Sequence, residues 1–138
     1  MALMIDATPL VDGAAEGTAM KLGAPISFWG GIDAADGTVI QAGHPDRGRS
    51  IADTVLVLPG LIGSSSSSAI MLELLHVGTA PRALLLAGAD AILPLGVIVS
   101  AEMGWPTIPV LVCDVGDIAD GDLVSITPGG GVSVATPD

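Results

Sequence analysis

Hydrophobic residues fall into three short, nearly unbroken runs in the middle of the chain. These runs are Thr54–Leu58, Ala83–Leu86 and Pro109–Val112. Short runs of aliphatic and β-branched residues are typical of strands that are buried on both faces of a parallel sheet. They therefore predict three parallel strands at the centre of the fold.

Two helical patterns separate these runs. Residues 69–77 repeat apolar side chains with a helical period, and Gly78 and Pro81 follow in the way that is typical of a helix end. A second helix is predicted to begin near Pro94, since proline fits the first turn, and to end at Gly104. Right-handed crossovers through such helices make the three central strands parallel.

The two ends of the chain alternate apolar and polar residues, which is typical of antiparallel strands. Strands are predicted within Asp6–Gly23, where the alternation is centred on Ala15–Met20, at Pro25–Trp29 and at Thr38–Ile40. Residues 123–127 and 132–135 predict a hairpin around three glycines. The whole pattern predicts an α/β fold with an added β-rich layer, and therefore three layers.

The length and net charge of the chain exclude several kinds of protein. The 138 residues match one domain, which we expect to span residues 1–138. Fifteen acidic and four basic residues give a net charge of −11, which excludes a basic nucleic-acid-binding surface. No run of about 20 apolar residues and no positively charged leader is present, so we expect a cytoplasmic protein. The single cysteine, Cys113, rules out a cysteine-rich metal or cluster site within this chain.

The most informative segment is a serine run, residues 64–68, that follows Gly63 between the first buried strand and the first helix. Ligand sites in α/β proteins lie beyond the carboxyl ends of parallel strands, and a helix N-terminus offers unpaired N–H groups. Such a place binds an anion or stabilises a serine alkoxide. Serine runs are often flexible linkers, but this one is short and bracketed by core elements, so we expect an ordered loop.

Few side chains are available to support chemistry at this loop. His44 precedes a proline in a polar loop, where we expect a surface residue, and His76 lies about 12 Å or more along the helix from the serines. Arg47 and Arg49 are candidates for binding a substrate carboxylate, with two solvated surface arginines as the alternative.

Several short motifs, in their order and spacing, resemble one known family. They are Ser27-Phe28-Trp29-Gly30-Gly31-Ile32-Asp33, His44-Pro45, Leu58-Pro59, and Gly63-Ser64-Ser65 ahead of Leu72-Glu73-Leu74. From about Gly13 to Val124 the chain resembles the aconitase X swivel domain. This domain is the small subunit, or the fused C-terminal part, of aconitase X hydro-lyases.

The resemblance implies a swivelling β/β/α three-layer fold and a role in dehydration. It also implies a partner, the aconitase X large subunit. That subunit would carry iron or an iron–sulfur cluster as a Lewis acid for the leaving hydroxyl, while this chain would bind no metal. The active site would lie in the cleft between the two chains.

The resemblance also assigns roles within the serine run. The family's Gly-Ser-Ser loop places the general base on Ser64, with Ser65 as the alternative in a register shifted by one residue. Gly63 and Ser66 would contact substrate beside it, and Arg47 and Arg49 stay the candidates for binding its carboxylate on the strength of their residue type. Ordinary aconitases continue this loop with an arginine where Ser66 stands here, which argues against citrate as the substrate.

Two substrate classes are known for the family. One is cis-3-hydroxy-L-proline, which gives Δ1-pyrroline-2-carboxylate, and the other is phosphomevalonate. The Ala/Gly/Asp-rich composition and the unbroken serine run favour the first. A different class of function stays open, because a swivel fold can also serve as a non-catalytic binding module. A phosphohistidine carrier would need a histidine at the loop–helix junction, where this chain has serines.

Overall fold

The computed structural model describes residues 2–63 and 65–137. Within that part, seven strands and three helical segments follow one another. The strands are β1 (Ala2–Val11), β2 (Ala15–Lys21), β3 (Val55–Leu58), β4 (Ala83–Leu86), β5 (Val110–Cys113), β6 (Leu123–Thr127) and β7 (Gly131–Ala135). The helical segments are α1 (Phe28–Gly31), α2 (Ser67–Val77) and α3 (Ile92–Glu102).

The strands form a closed barrel in the order β1-β5-β4-β3-β2-β6-β7. Strands β2, β3, β4 and β5 run parallel, and antiparallel pairs through β6, β7 and β1 complete the ring. The prediction of parallel central strands is confirmed. The expectation of three separate layers is wrong in one respect, because the two sheets join into a single barrel.

Strand β1, which the sequence pattern did not predict as a separate strand, makes one of the two junctions between the sheets, and β2 makes the other. Residues Ala2–Asp6 pair with β7, whereas Ala7–Val11 pair with β5. Every residue of β1 is exposed or half-buried. Its place in the fold depends on backbone pairing with two neighbours, together with the packing of Ile5 and Ala7 against one core and of Val11 against the other.

Two hydrophobic cores lie on opposite faces of the central strands. Val55, Val57 and Leu85 belong to the core that also contains the inner residues of β6 and β7. Leu56 and Leu84 belong to the other core, which packs against α2 and α3. Strands buried on both faces carry hydrophobic residues at every position, and this explains the unbroken runs in the sequence.

The segment between β2 and β3 differs from its predicted strands. Ile26 makes only a single bridge, and the following residues turn into α1. Gly30 adopts a φ of 77°, a left-handed conformation that is open to glycine and costly for other residues. Thr38 and Val39 likewise make only isolated bridges. The predicted strands at 25–29 and 38–40 are therefore wrong, and the alternation there reflects the burial of Phe28 and Val39.

The two long helices lie close to their predicted positions. Helix α2 begins at Ser67, within the serine run, and ends before Gly78, which has a φ of 84°. Helix α3 begins at Ile92, so Pro94 lies in its first turn as predicted, and a carboxylate oxygen of Asp90 accepts the N–H of Leu93 in that turn. In residues 2–63 and 65–137, no helix has the length and hydropathy that a membrane crossing requires.

Candidate functional site

The serine loop, residues 59–66, connects β3 to α2 at the carboxyl end of the parallel strands. Strand β3 ends at Leu58, and Ser66 is the N-cap residue of α2. Before the serines, Leu61 forms a bridge with Ile26, and the N–H of Ile62 donates to the Ile26 carbonyl at 2.9 Å. The loop thus leads from a buried strand into a helix N-terminus, as the sequence predicts.

The described serines of the run differ in how exposed they are. Ser64, the predicted base, lies outside the described residues. Ser65 is exposed, and its carbonyl oxygen accepts a hydrogen bond from the Ser68 hydroxyl at 3.1 Å. Ser67 is buried at the start of α2. No acidic residue stands in the first turn, so no carboxylate there offsets the partial positive charge of the helix N-terminus.

A cleft of ≈ 360 Å³ opens beside the loop. Residues 58–61 line one wall, at the end of β3, and residues 86–90 line the other, at the end of β4. A smaller gap of ≈ 10 Å³ lies between Gly63, Ser67 and Asp90. The larger cleft falls in the range of small-molecule sites, about 300–1,000 Å³. The serine loop therefore borders a concave surface large enough for a small substrate.

Asp90 is a site residue that sequence reasoning missed. It lines the cleft and also the gap beside Gly63 and Ser67, while its Oδ2 accepts the Leu93 N–H at 2.9 Å. An aspartate two residues before an apolar helix, where it can accept an N–H of the first turn, is a signal that sequence alone could reveal. Its closeness to the serine loop is a property of tertiary packing, because α2 and α3 bring the two loops together.

The two candidate arginines have different surroundings. The Nη1 of Arg49 donates to Asp46 Oδ1 at 3.0 Å, and its Nη2 donates to Asp120 Oδ1 at 3.4 Å. The hydrogen bond to Asp46 raises the pKa of Arg49 above its ordinary value. The exposed side chain of Arg47 makes no hydrogen bond or ion pair with any residue in the described ranges. Of the two, Arg47 is therefore the guanidinium available to a ligand.

His44 is not the surface residue that the sequence predicts. Its side chain has no exposed area. Nδ1 accepts the N–H of Asp46 at 3.0 Å, so Nε2 carries the proton and donates to the Ala24 carbonyl at 3.0 Å. Asp46 adds a second link by accepting the N–H of Gly23 at 2.8 Å. These contacts fasten the loop that carries Arg47 to the segment following β2.

The residues present do not fit an iron–sulfur cluster. In the described ranges, no group of three or more His, Cys, Asp or Glu is placed to hold a metal ion. Clusters are bound by several cysteine thiolates, whereas the chain's one cysteine, Cys113, is buried at the end of β5. Burial, and then the charge of Asp114, raises the pKa of its thiol.

A mixed barrel with a serine loop at a helix N-terminus beside a strand-end cleft defines a swivelling domain of the aconitase type. The family model of the aconitase X swivel domain matches residues 4–134, and the chain belongs to this family. The swivel fold predicted from the sequence is thereby confirmed.

A solved structure of a relative agrees with this assignment. The crystal structure of Thermococcus kodakaraensis aconitase X in its holo-form has a TM-score of 0.86. The match covers 96% of this chain and 98% of that chain, at 31% identity.

Curated relatives belong to two dehydratase groups. The cis-3-hydroxy-L-proline dehydratases of Hypocrea jecorina and Pseudomonas aeruginosa are 39% and 41% identical, over 82% and 73% of this chain. The chain spans only 19% and 17% of their lengths. The phosphomevalonate dehydratase small subunit of Methanocella arvoryzae is 37% identical, over 87% of this chain and 89% of its own length.

Proposed function

We propose that this chain is the serine-bearing small subunit of an aconitase X hydro-lyase. The observation that carries the proposal is the serine loop, which leads into the N-terminus of α2 beside a ≈ 360 Å³ cleft. Membership of the aconitase X family and the dehydratase names of its relatives support it. Metal chemistry is assigned to the large subunit, because the described part of this chain offers no ligand set for it.

Within this proposal, Ser64 is the general base, and Ser65 is the alternative. A serine hydroxyl is a weak base at neutral pH, so its alkoxide needs stabilisation. The first N–H groups of a helix have no partners within it, and in α2 the N–H of Ala69 already donates to the Ser66 carbonyl at 3.1 Å. The N–H groups of Ser67 and Ser68 would therefore provide that stabilisation, together with the partial positive charge of the helix end. Closure against the large subunit would exclude water and strengthen these interactions.

For cis-3-hydroxy-L-proline, the serine oxygen takes the proton from the carbon that bears the carboxylate. The C–H bonding electrons form a double bond to the neighbouring carbon, whose hydroxyl leaves as hydroxide. The proton held by the serine then converts the hydroxide to water and returns the serine to its starting form. The resulting enamine tautomerises to Δ1-pyrroline-2-carboxylate. In this scheme Arg47 binds the substrate carboxylate, because its guanidinium is free while its loop is held in place by His44 and Asp46.

We favour cis-3-hydroxy-L-proline as the substrate, since the two hydroxyproline dehydratases are 39% and 41% identical to this chain. Phosphomevalonate is the second candidate. It is favoured by the match to the Methanocella arvoryzae subunit, of which this chain covers 89%. Arg47 suits either ligand, because guanidinium binds carboxylate and phosphate alike.

The experiment is reconstitution of the chain with its large subunit and an assay of both substrates. Ser64→Ala and Ser65→Ala are compared with Ser125→Ala, an exposed serine of β6. Loss of the base lowers kcat by about 10²–10⁴-fold with KM nearly unchanged. The control variant retains wild-type activity.

The outcomes separate the proposal from its alternatives. If only Ser65→Ala loses turnover, the general base is Ser65 rather than Ser64. Full activity in both serine variants contradicts the general-base role. A wild-type complex that dehydrates neither substrate favours a non-catalytic binding module.

A further inference from the structure

Helix α3 is apolar on every side. It has no charged residue from Ile92 to Ala101, and a helix that is hydrophobic all round is normally buried. Its inner side is buried through Leu93 and Val97. Its outer side is open, with Leu95 51% and Ile98 45% exposed. The outer apolar side chains of α3 are therefore uncovered in the chain alone.

Neighbouring residues extend this open surface. Leu10 of β1 lines a groove of ≈ 510 Å³ together with Ala89–Ala91, Pro94 and Ile98. The exposed large residues of the surface, here named the α3 face, are Leu10, Leu95, Ile98, Val99 and Met103. The groove includes Asp90, which also lines the gap beside the serine loop. The α3 face is thus continuous with the candidate site.

We propose that the α3 face is the docking surface for the large subunit of the same dehydratase, an inference that rests on the proposed function. In the Hypocrea jecorina and Pseudomonas aeruginosa relatives, the matching region is about a fifth of one polypeptide, so the domain there is joined to a much larger remainder. When the cleft closes, the rest of the enzyme would contact the surface that lies next to the cleft, and the α3 face is that surface.

The net charge of the chain argues against a second copy or a membrane as the partner of the α3 face. A second copy of this chain also carries a net charge of −11, and two such copies repel each other. The same charge opposes docking to an anionic membrane. The composition of the α3 face suits a protein partner, because the centres of protein–protein interfaces are depleted in charged residues and enriched in methionine and aromatic residues.

Two glutamate variants test the proposal against a matched control. Ile98→Glu places a charge at the middle of the α3 face. Leu123→Glu places the same charge at a residue that is 48% exposed on β6, where the neighbouring groove is lined by Glu16 and Arg82. Each full-length variant is mixed with the large subunit, and Kd is measured by titration calorimetry. Thermal unfolding of each chain alone checks that the fold is retained, and Leu95→Glu serves as a second variant of the face.

We expect Ile98→Glu to raise Kd at least tenfold, while Leu123→Glu leaves it within twofold. Wild-type affinity in both Ile98→Glu and Leu95→Glu, with an active wild-type pair, overturns the docking surface and leaves the proposed function standing. Self-association of the wild-type chain that Ile98→Glu abolishes assigns the face to a second copy and overturns the proposal. A wild-type chain that binds no large subunit overturns both.

Discussion

Gly96 on α3 lies directly against the carbonyl oxygen of Ser68 in the first turn of α2. A Cβ atom at Gly96 would stand 2.5 Å from that oxygen and 3.0 Å from the Cβ of Met71. The two helices can approach this closely only because residue 96 has no side chain. The contact fixes the first turn of α2, and with it the end of the serine loop.

Gly96→Ala is therefore expected to lower the free energy of unfolding by about 1–3 kcal/mol, the cost of overpacking. At an exposed helix position the same change stabilises a protein by about 0.5–1 kcal/mol. The sign of the change in unfolding free energy therefore shows whether residue 96 is closely packed. Gly88→Ala is the control, since a Cβ there meets nothing within 4 Å. Urea unfolding measures both, and a stabilised Gly96→Ala variant would contradict the close packing.

Arg47 and Arg49 are expected to have different roles. Arg49→Ala removes the ion pairs to Asp46 and Asp120, and should lower the free energy of unfolding by about 1 kcal/mol. Arg47→Ala should leave stability unchanged and raise KM by about tenfold to a hundredfold, because a hydrogen bond to a charged group contributes about 1.5–3 kcal/mol. Thermal unfolding and steady-state kinetics of the reconstituted pair separate the two effects. An unchanged KM in Arg47→Ala would exclude it from substrate binding.

His44 is expected to stabilise the fold through both ring nitrogens. His44→Leu leaves the Asp46 N–H and the Ala24 carbonyl without their partner, which should cost about 2–4 kcal/mol. His44→Asn should cost less, because its side-chain oxygen can still accept from Asp46. Urea unfolding gives the order of the two variants. Equal losses would mean that ring volume matters more than hydrogen bonding.

Cys113 is expected to make the fold less stable at alkaline pH. Burial raises the pKa of its thiol above the ordinary value of 9.0, so the folded state keeps the proton that the unfolded state releases. This contribution is fully present below pH 9 and is lost as the pH rises through the folded pKa. The difference in unfolding free energy between about pH 8 and pH 10 should be smaller in Cys113→Ala. Identical pH profiles would contradict the raised pKa.

The sequence predicts the parts of the fold that are local or periodic. The strands β3, β4 and β5 follow from hydrophobic runs, and α2 and α3 from helical spacing and end signals. The pattern does not resolve β1 as a separate strand, because its residues are mostly apolar although none of them is fully buried. It also fails around Phe28 and Val39, where alternation reflects burial in a loop held by single bridges.

For the candidate site too, the sequence predicts the local features but not those that depend on tertiary packing. The position of the serine loop follows from its two neighbouring elements, and the structure places its described residues beside a cleft. The proximity of Asp90 depends on how α2 packs against α3, and the burial of His44 depends on contacts across 20 residues of chain. Neither the proximity of Asp90 nor the burial of His44 can be predicted from local sequence.

Ring closure by β1 also affects how the protein folds. Ala2 pairs with Ala135, so every other element of the fold lies between these two partners along the chain. Contacts so distant in sequence form slowly, because the loop between them must be closed first. Within this domain β1 is synthesised before β7, and it has no partner on that side until β7 is available. We therefore expect the pairing of β1 with β7 to be a late step in the folding of this domain.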